Sequence, residues 1–287
     1  MSVVSVEELQ RAWAAAQAGQ FRTPAGRAVR GAPSCLTESD ARSAALRWEP
    51  DGLVLPVLGA HGSAGTTTVA VALATATGGP ARVVEACSST VTGLAACATA
   101  ELGTSGDGWA RGTRGAVVLE HRSEPIGHPQ DLPLPRDWAA LAGVTVLDVA
   151  AQPGQMFASG AWLAAAVREA RGVVVVTTAT VPGLRRLEST LHLLGLTGEQ
   201  GDLGRHVVAV LGPPQRRWPR EVTHSLGTLT AGVEATGHLV PVPRDPTLAV
   251  RGLDGSHLPA GVLAAATQIL RLTQPEALTT HSEGTRP

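Results

Sequence analysis

The sequence predicts an α/β protein with a doubly wound, mostly parallel sheet and helices on both of its faces. Short apolar runs rich in valine recur along the chain, as expected of strands that are buried on both sides. Segments with helical composition separate these runs, which favours strand–helix–strand units and a parallel sheet. The first run also leads through a glycine-bearing turn into a helix that begins with three threonines. Ligands in such sheets bind at the carboxyl ends of the strands, so we expect the site there.

Composition limits the classes of function. The chain has 287 residues, 44% of them apolar, enough for one large domain with a substantial core. Its net charge of −1 gives no global attraction to nucleic acid or to an anionic membrane, so nucleic acid is not a favoured partner. The three cysteines show no paired spacing, which favours a reducing compartment. With no signal segment and no long apolar run, we expect a cytoplasmic protein without an integral membrane segment.

The chain contains no lysine, asparagine or tyrosine, whereas alanine, glycine, arginine and proline are abundant. This bias is typical of a GC-rich genome of the actinobacterial kind. It offers a neutral explanation for the missing lysines, but it does not replace the chemistry that a lysine supplies.

Residues 1–50 are predicted to form an N-terminal helical arm and linker, residues 51–273 the α/β domain, and residues 274–287 a disordered tail. Ser5 and Glu8 form a capping-box pattern at the start of the arm. The apolar face that includes Trp13 either docks on the main domain or binds a partner. A second short helix, starting at Thr37, is predicted to reach Trp48.

The turn after the first predicted strand, Val54 to Leu58, has the composition of an anion-binding loop. Glycines at 59, 62 and 65 allow a tight turn and close approach of the backbone to a ligand. A helix is expected from Thr66 to the glycine pair at 78 and 79. Free amides and the helix dipole at such a junction favour negative charge.

This loop resembles the deviant Walker A motif of the ParA/MinD family of P-loop ATPases, Lys-Gly-Gly-x-Gly-Lys-Thr-Thr. Its counterpart here is the segment His61, Gly62, Ser63, Ala64, Gly65, Thr66, Thr67 and Thr68. His61 and Thr66 stand where that family has its two lysines. The resemblance implies nucleotide binding by residues 62–68 and a contact of Thr67 with Mg²⁺, whereas the missing lysines predict a degenerate member.

The rest of the domain is predicted as a regular alternation. Strands are expected at 81–86, 115–120, 144–148, 172–177, 206–211 and 237–242, and helices at 90–98, 157–170, 182–194 and 258–272. Residues 103–114 are predicted as a glycine-rich surface loop or a lid.

Two strand ends carry residues that the resemblance singles out. Asp148 ends a strand as the aspartate of the Walker A′ segment does, which implies a role beside Mg²⁺; a helix cap or strand-end cap is the alternative. Where the family has Asp-x-Asp, this chain has Glu85 and Cys87. We expect Cys87 to be a buried small residue, because no histidine lies near it in sequence.

Two late segments complete the candidate site. Pro213 and Pro243, each just after a predicted strand, match family segments that lie beside the nucleotide base. The loop with Arg216, Arg217, Trp218 and Arg220 has residue types common at protein interfaces and in nucleic-acid grooves. A solvated loop with Trp218 folded into the core is the third interpretation.

The sequence thus favours a pseudo-ATPase of the ParA/MinD type that acts as a positioning or scaffold factor, as a homodimer or with a protein partner. The resemblance suggests a partition, conjugation, secretion or pilus system. ATP or ADP with Mg²⁺ is the expected cofactor, bound weakly or not at all. The alternatives are an active ATPase with a non-standard P-loop that dimerises with nucleotide, and a dinucleotide-binding protein supported only by Glu85.

Overall fold

The computed structural model describes residues 47–50, 52–105, 108–135, 143–195 and 203–273. The predicted arm with Trp13 and the predicted tail lie outside these residues. The helix expected to reach Trp48 does not do so, because residues 47–50 have no helical structure. Trp48 is instead buried, with its ring edge-on to Trp162 at 5.3 Å between centroids.

A single sheet of nine strands organises the described residues. The strands are β1 Leu53–Gly59, β2 Ala81–Glu85, β3 Ala100–Thr104, β4 Trp109–Arg114, β5 Val117–Arg122, β6 Val144–Val149, β7 Val173–Thr178, β8 His206–Leu211 and β9 Leu239–Val242. Their order across the sheet is β3-β4-β5-β2-β6-β1-β7-β8-β9. All seven strands expected from the sequence are present, and β5, β2, β6, β1, β7, β8 and β9 pair in parallel.

Two strands extend this parallel sheet in an antiparallel sense. The pairs β3–β4 and β4–β5 are both antiparallel, so β3, β4 and β5 form a meander at one edge of the sheet. The prediction that residues 103–114 are a loop was therefore wrong. Strand pairing overrides the weak strand preference of a segment rich in glycine, because β4 gains a ladder along the whole of β5.

Eight α-helices are present among the described residues. They are α1 Thr66–Ala76, α2 Pro153–Ala158, α3 Trp162–Glu169, α4 Val181–Leu193, α5 Arg220–Thr223, α6 Thr228–Ala235, α7 Pro246–Arg251 and α8 Ala260–Thr273. Helices α1 and α8 contribute to the apolar core on one face of the sheet, and α2 to α6 contribute to the core on the other. The fold is therefore the doubly wound α/β arrangement that the sequence predicts.

The strands alternate between the two cores in step with their pleat. In β7, for example, Val174 and Val176 belong to the core under α1 and α8, whereas Val173 and Val175 belong to the other core. This explains why the strand reads as a continuous apolar run and not as an alternating one.

Two predicted helices differ from the structure. Residues 90–98 contain only a 3-10 turn, Leu94–Cys97, and not an α-helix. Residues 157–170 are not one helix, since α2 ends at Ala158 and α3 begins at Trp162. Between them Gly160 has φ 64°, a left-handed conformation that interrupts helical hydrogen bonding and that glycine adopts without strain.

The meander is tied to both the sheet and a distant loop. Glu120 accepts hydrogen bonds from Arg111 Nε at 2.8 Å and Arg82 Nη1 at 3.5 Å, all three side chains being largely buried. Arg114 of β4 donates to the backbone carbonyls of Cys97 and Asp254. The loop after α7 is thereby held against the sheet, where it forms one wall of the site.

No helix in the part of the chain that the structure describes combines the length and the apolar character needed to cross a membrane.

Candidate functional site

The loop between β1 and α1 has the backbone geometry of an anion-binding turn. Among the described residues, Ser63 is the only non-glycine residue with positive φ, at 59°, and Gly65 follows with φ 91°. A Cβ on Gly65 would collide with the Leu211 side chain, so both space and backbone conformation require glycine there. The chain then enters α1 directly, with Gly65 as N-cap residue.

Helix α1 presents its N-terminal amides without a side-chain partner. Gly65 provides no capping group, and no acidic residue lies in the first turn. The first hydrogen bond of the helix is donated by Val69 N to Gly65 O at 3.0 Å. The N–H groups of Thr66, Thr67 and Thr68 precede it and therefore have no acceptor within the helix. These amides and the helix dipole together favour an anion at the end of the helix.

Thr66, the first residue of α1, occupies the inside of the loop. It is 7% exposed, and its Oγ1 lies so near Gly59 that a Cβ on Gly59 would be 2.6 Å from it. The Thr66 side chain therefore packs beneath the cradle and supplies no charge to it.

A cavity of about 930 Å³ opens above this loop at the carboxyl ends of the parallel strands. Its walls come from residues 59–68, 91–93 and 150–153, one face of α4, and residues 252–253. All of residues 62–68 line it. Pro213 and Pro243 are exposed and do not line this cavity, so the structure does not bring them to the phosphate loop.

Asp148 lies under the cavity at the end of β6, in register with Val57 of β1 and Glu85 of β2. It is 0% exposed, and neither carboxylate oxygen has a hydrogen bond of normal geometry. Burial is the main cause that raises the pKa of Asp148 to about 7; the nearby Thr67 hydroxyl opposes this rise, and the charge of Glu85 adds to it. Asp148 and Thr67 thus face each other without satisfying the carboxylate.

Glu85, at the end of β2, is also buried, yet its oxygens are occupied. Oε2 accepts the Arg122 backbone N–H at 2.9 Å, and Oε1 accepts the Thr92 hydroxyl. Because Thr92 lines the cavity, Glu85 fixes part of its wall. Cys87 is 4% exposed; burial raises the pKa of its thiol, and the charges of Asp148 and Glu85 raise it further. The thiol is therefore protonated and unreactive at neutral pH, as the sequence predicts.

His61 is held at the cavity wall. Its Nδ1 donates to the Gly62 carbonyl at 2.8 Å, because a carbonyl oxygen only accepts. Its Nε2 lies 3.2 Å from Thr178 Oγ1, which in turn is 3.0 Å from Thr180 Oγ1. The ring is thus linked to the loop that begins α4.

Sequence reasoning missed one charged residue of this cavity. Arg186 of α4 lines it together with Ser189, Thr190 and Leu193. These four positions follow the i, i+3, i+4, i+7 spacing of one helical face. A polar stripe with this spacing, directly after a buried strand, was the available signal.

The predicted partner-binding loop is only partly at the surface. Trp218 is 8% exposed, and its Nε1 donates to the Pro213 carbonyl at 2.9 Å. Trp218 is therefore packed against the core, as the third interpretation expects of this residue. Arg216, Arg217 and Arg220 are exposed.

Fold and site together define an α/β protein with an uncharged glycine-turn anion cradle at the ends of its parallel strands. No protein-family model and no curated protein matches the chain. Among solved structures it is similar to apo McdA from Cyanthece, with 13% identity over 79% of this chain and 99% of that chain and a TM-score of 0.48.

Two further solved structures have comparable similarity. The MinD cell division protein of Aquifex aeolicus has 15% identity over 82% of this chain and 98% of that chain, with a TM-score of 0.44. Cobyrinic acid a,c-diamide synthase of Mycobacterium smegmatis, with bound ADP and magnesium, has 14% identity over 82% of this chain and 97% of that chain, with a TM-score of 0.44. With all three scores below 0.5, the fold assignment rests on the strand order and register given above.

Proposed function

We propose that the chain is a degenerate ParA/MinD-type protein that binds a nucleoside triphosphate weakly at the loop of residues 62–68 and acts mainly through protein contacts. In this proposal it is a pseudo-ATPase that positions or scaffolds other components. One observation carries the proposal: a phosphate-cradle backbone is present, whereas the position of its cation holds a buried threonine, Thr66.

The donor set of the site fits Mg²⁺. Mg²⁺ prefers oxygen ligands and is usually held by one or two carboxylates together with substrate phosphates. Asp148 supplies a buried carboxylate with unsatisfied oxygens, and Thr67 supplies a hydroxyl beside it. Within the described residues no group of three or more His, Cys, Asp or Glu could hold a metal ion alone, so the phosphates would complete the site. When bound, Mg²⁺ would neutralise part of the phosphate charge.

The residues that would order and activate an attacking water are absent or engaged. Glu85 accepts hydrogen bonds from Thr92 and the Arg122 amide, which hold it in the wall. Cys87 is a protonated thiol that cannot act as a general base. Loss of one charge-stabilising group typically costs about 10²–10³ in rate. We therefore expect no hydrolysis above background.

The alternative is an active ATPase with a non-standard P-loop, which forms a nucleotide-dependent dimer. One observation favours it: Arg186 places a permanent positive charge in the same cavity. An arginine could stabilise the transferred phosphate from a different direction than the lysine does.

The surface role is assigned to protein partners. Arg216, Arg217 and Arg220 form an exposed basic group on a loop stiffened by Pro214 and Pro219. A net charge of −1 over the whole chain disfavours broad nucleic-acid binding. We propose that the protein works in a partition, conjugation, secretion or pilus system. This part of the proposal rests only on the resemblance of the loop to the deviant Walker A motif.

Thermal unfolding with ATP or ADP, with and without Mg²⁺, tests the binding part of the proposal. The wild type should gain a small stabilisation from ATP that increases with Mg²⁺, since a ligand of the folded state stabilises it by mass action. Asp148→Asn should lose the Mg²⁺-dependent part. Thr66→Lys should increase the stabilisation by restoring the cation.

Thr228→Lys is the matched control, because Thr228 begins α6 after a glycine as Thr66 begins α1. It should behave as the wild type does. If Thr66→Lys gives no gain over Thr228→Lys, the missing cation does not limit binding and the proposal fails.

A further inference from the structure

Helix α4 is fixed relative to the phosphate loop by strand pairing. β1 and β7 are adjacent, and Ala60 N donates to Val176 O at 2.9 Å where both strands end. Thr177 Oγ1 then donates to the Gly183 carbonyl at 2.9 Å, and Thr180 caps the helix by accepting from Gly183 N. The first turns of α4 therefore have a defined position beside the loop.

From this position α4 presents one polar stripe to the cavity and buries another face. Leu184, Leu187 and Leu191 belong to the core below the helix. Arg185 and Arg186 are both exposed, but only Arg186 lines the cavity. Two arginines adjacent in sequence thus have different environments on the same helix.

The charge distribution of the cavity is one-sided. Its lining includes no carboxylate, and its ionisable members within the described residues are His61 and Arg186. Asp148 lies beneath, on β6, and α4 follows β7; these two strands flank β1 on opposite sides. An anion on the loop would therefore have the Asp148–Thr67 pair on one flank and Arg186 on the other.

We propose that Arg186 contacts the terminal phosphate of a bound nucleoside triphosphate and gives the cavity its preference for triphosphate over diphosphate. This inference rests on the proposed nucleotide site. The amides of the loop serve the inner phosphates, and the side of Asp148 and Thr67 serves Mg²⁺. The guanidinium, on the opposite wall, is left for the terminal group. Its planar fork can donate two parallel hydrogen bonds to phosphate oxygens.

Isothermal titration calorimetry with Mg²⁺ and either ADP or a non-hydrolysable ATP analogue tests the proposal. Arg186→Gln should weaken binding of the ATP analogue by about 10- to 100-fold, the size expected for a lost hydrogen bond to a charged group. The same change should weaken ADP binding by no more than about 3-fold. Arg186→Lys should lie between, because lysine keeps the charge but loses the fork.

Arg185→Gln is the matched control and should bind both ligands as the wild type does. Equal melting temperatures of the two glutamine variants would show that folding is preserved. If Arg186→Gln binds the ATP analogue as tightly as the wild type, or loses equal affinity for both ligands, the assignment to the terminal phosphate is overturned. If the wild type binds neither ligand, the proposed nucleotide site itself fails, and this inference with it.

Discussion

Two buried carboxylates end neighbouring strands of the sheet, and they differ in what surrounds them. Glu85 of β2 is 2% exposed and accepts hydrogen bonds from a backbone amide and a hydroxyl. Asp148 of β6 is 0% exposed, and neither of its oxygens has a hydrogen bond of normal geometry. Folding thus satisfies the first carboxylate but not the second. A buried polar group without a partner costs free energy, and the proposed Mg²⁺ would offset this cost by coordinating Asp148.

This difference in hydrogen bonding also suggests different roles for the two carboxylates near the cavity. Glu85 holds Thr92 in place and stabilises the cavity from behind. Asp148 faces Thr67 at the start of α1, where the proposed Mg²⁺ would be held. Glu85 and Asp148 are paired directly across the two strands. A comparison of their variants therefore measures the effect of hydrogen bonding at nearly the same position in the sheet.

The largest expected effect concerns the pH dependence of stability. The pKa of Asp148 is raised from 3.8 to about 7, so the folded state holds this proton more tightly than the unfolded chain does. Stability should therefore fall as pH rises between these values, by about 4 kcal/mol at ~1.4 kcal/mol per pKa unit. Asp148→Asn should remove this loss.

Urea unfolding from pH 4 to pH 8 in the absence of nucleotide and Mg²⁺ measures this effect. The difference between the wild type and Asp148→Asn cancels the contributions of other groups. The exposed Glu124→Gln serves as control and should follow the wild type at every pH. A constant difference between the wild type and Asp148→Asn would contradict an unsatisfied carboxylate.

The reciprocal variant, Glu85→Gln, should act in the opposite direction. One of the two donors, the Arg122 amide or the Thr92 hydroxyl, would then face an NH₂ group in place of an oxygen. We expect a loss of about 1–3 kcal/mol in the free energy of unfolding. At pH 8 Asp148→Asn should thus be more stable than the wild type and Glu85→Gln less stable. Equal shifts of the same sign would remove the distinction between the two carboxylates.

A third carboxylate extends the comparison to a partly exposed site. Glu188 of α4 accepts hydrogen bonds from Leu229 N and Thr230 N, both at 2.9 Å, and from Thr230 Oγ1 at 2.7 Å, which caps α6. Partial burial alone would raise the pKa of Glu188, but these hydrogen bonds outweigh it and lower the pKa from 4.5. Glu188→Gln should cost about 1 kcal/mol, the usual value of a helix cap.

The pH dependence of this smaller effect has the opposite sign to that of Asp148. Because the pKa is lowered in the folded state, the stabilisation is present above the ordinary pKa and is lost as pH falls. Denaturation of Glu188→Gln at pH 7 and pH 3, with Glu124→Gln as control, should show a smaller difference from the wild type at pH 3 than at pH 7. An equal difference at both pH values would indicate a packing role instead.

Much of the sheet could be predicted because its strands are buried on both faces. Runs such as Val173–Thr178 and His206–Leu211 are rich in branched apolar residues and permit few other structures. Strands β3 and β4 could not be predicted in this way. Their sequences contain glycine and arginine, and β3 is exposed throughout, so their strand structure comes from pairing with β5.

The residues of the candidate site that are set by the order of strands and helices could be predicted from the sequence. Those that depend on how a helix is oriented could not. Thr67 and Asp148 follow from a strand–turn–helix junction and a neighbouring strand end, both readable in sequence. Arg186 and Arg185 are equivalent by composition, and only the packing of α4 decides which one lines the cavity. The same holds for Trp218, whose burial and hydrogen bond to the Pro213 carbonyl depend on how its loop packs.

The most direct test of the account is steady-state phosphate release by the wild type in ATP and Mg²⁺. The account predicts no release above that of Asp148→Ala, because Thr66 leaves the cradle without its cation and Cys87 and Glu85 provide no free base. Sustained multiple turnovers by the wild type, abolished in Asp148→Ala, would contradict it and establish an active ATPase.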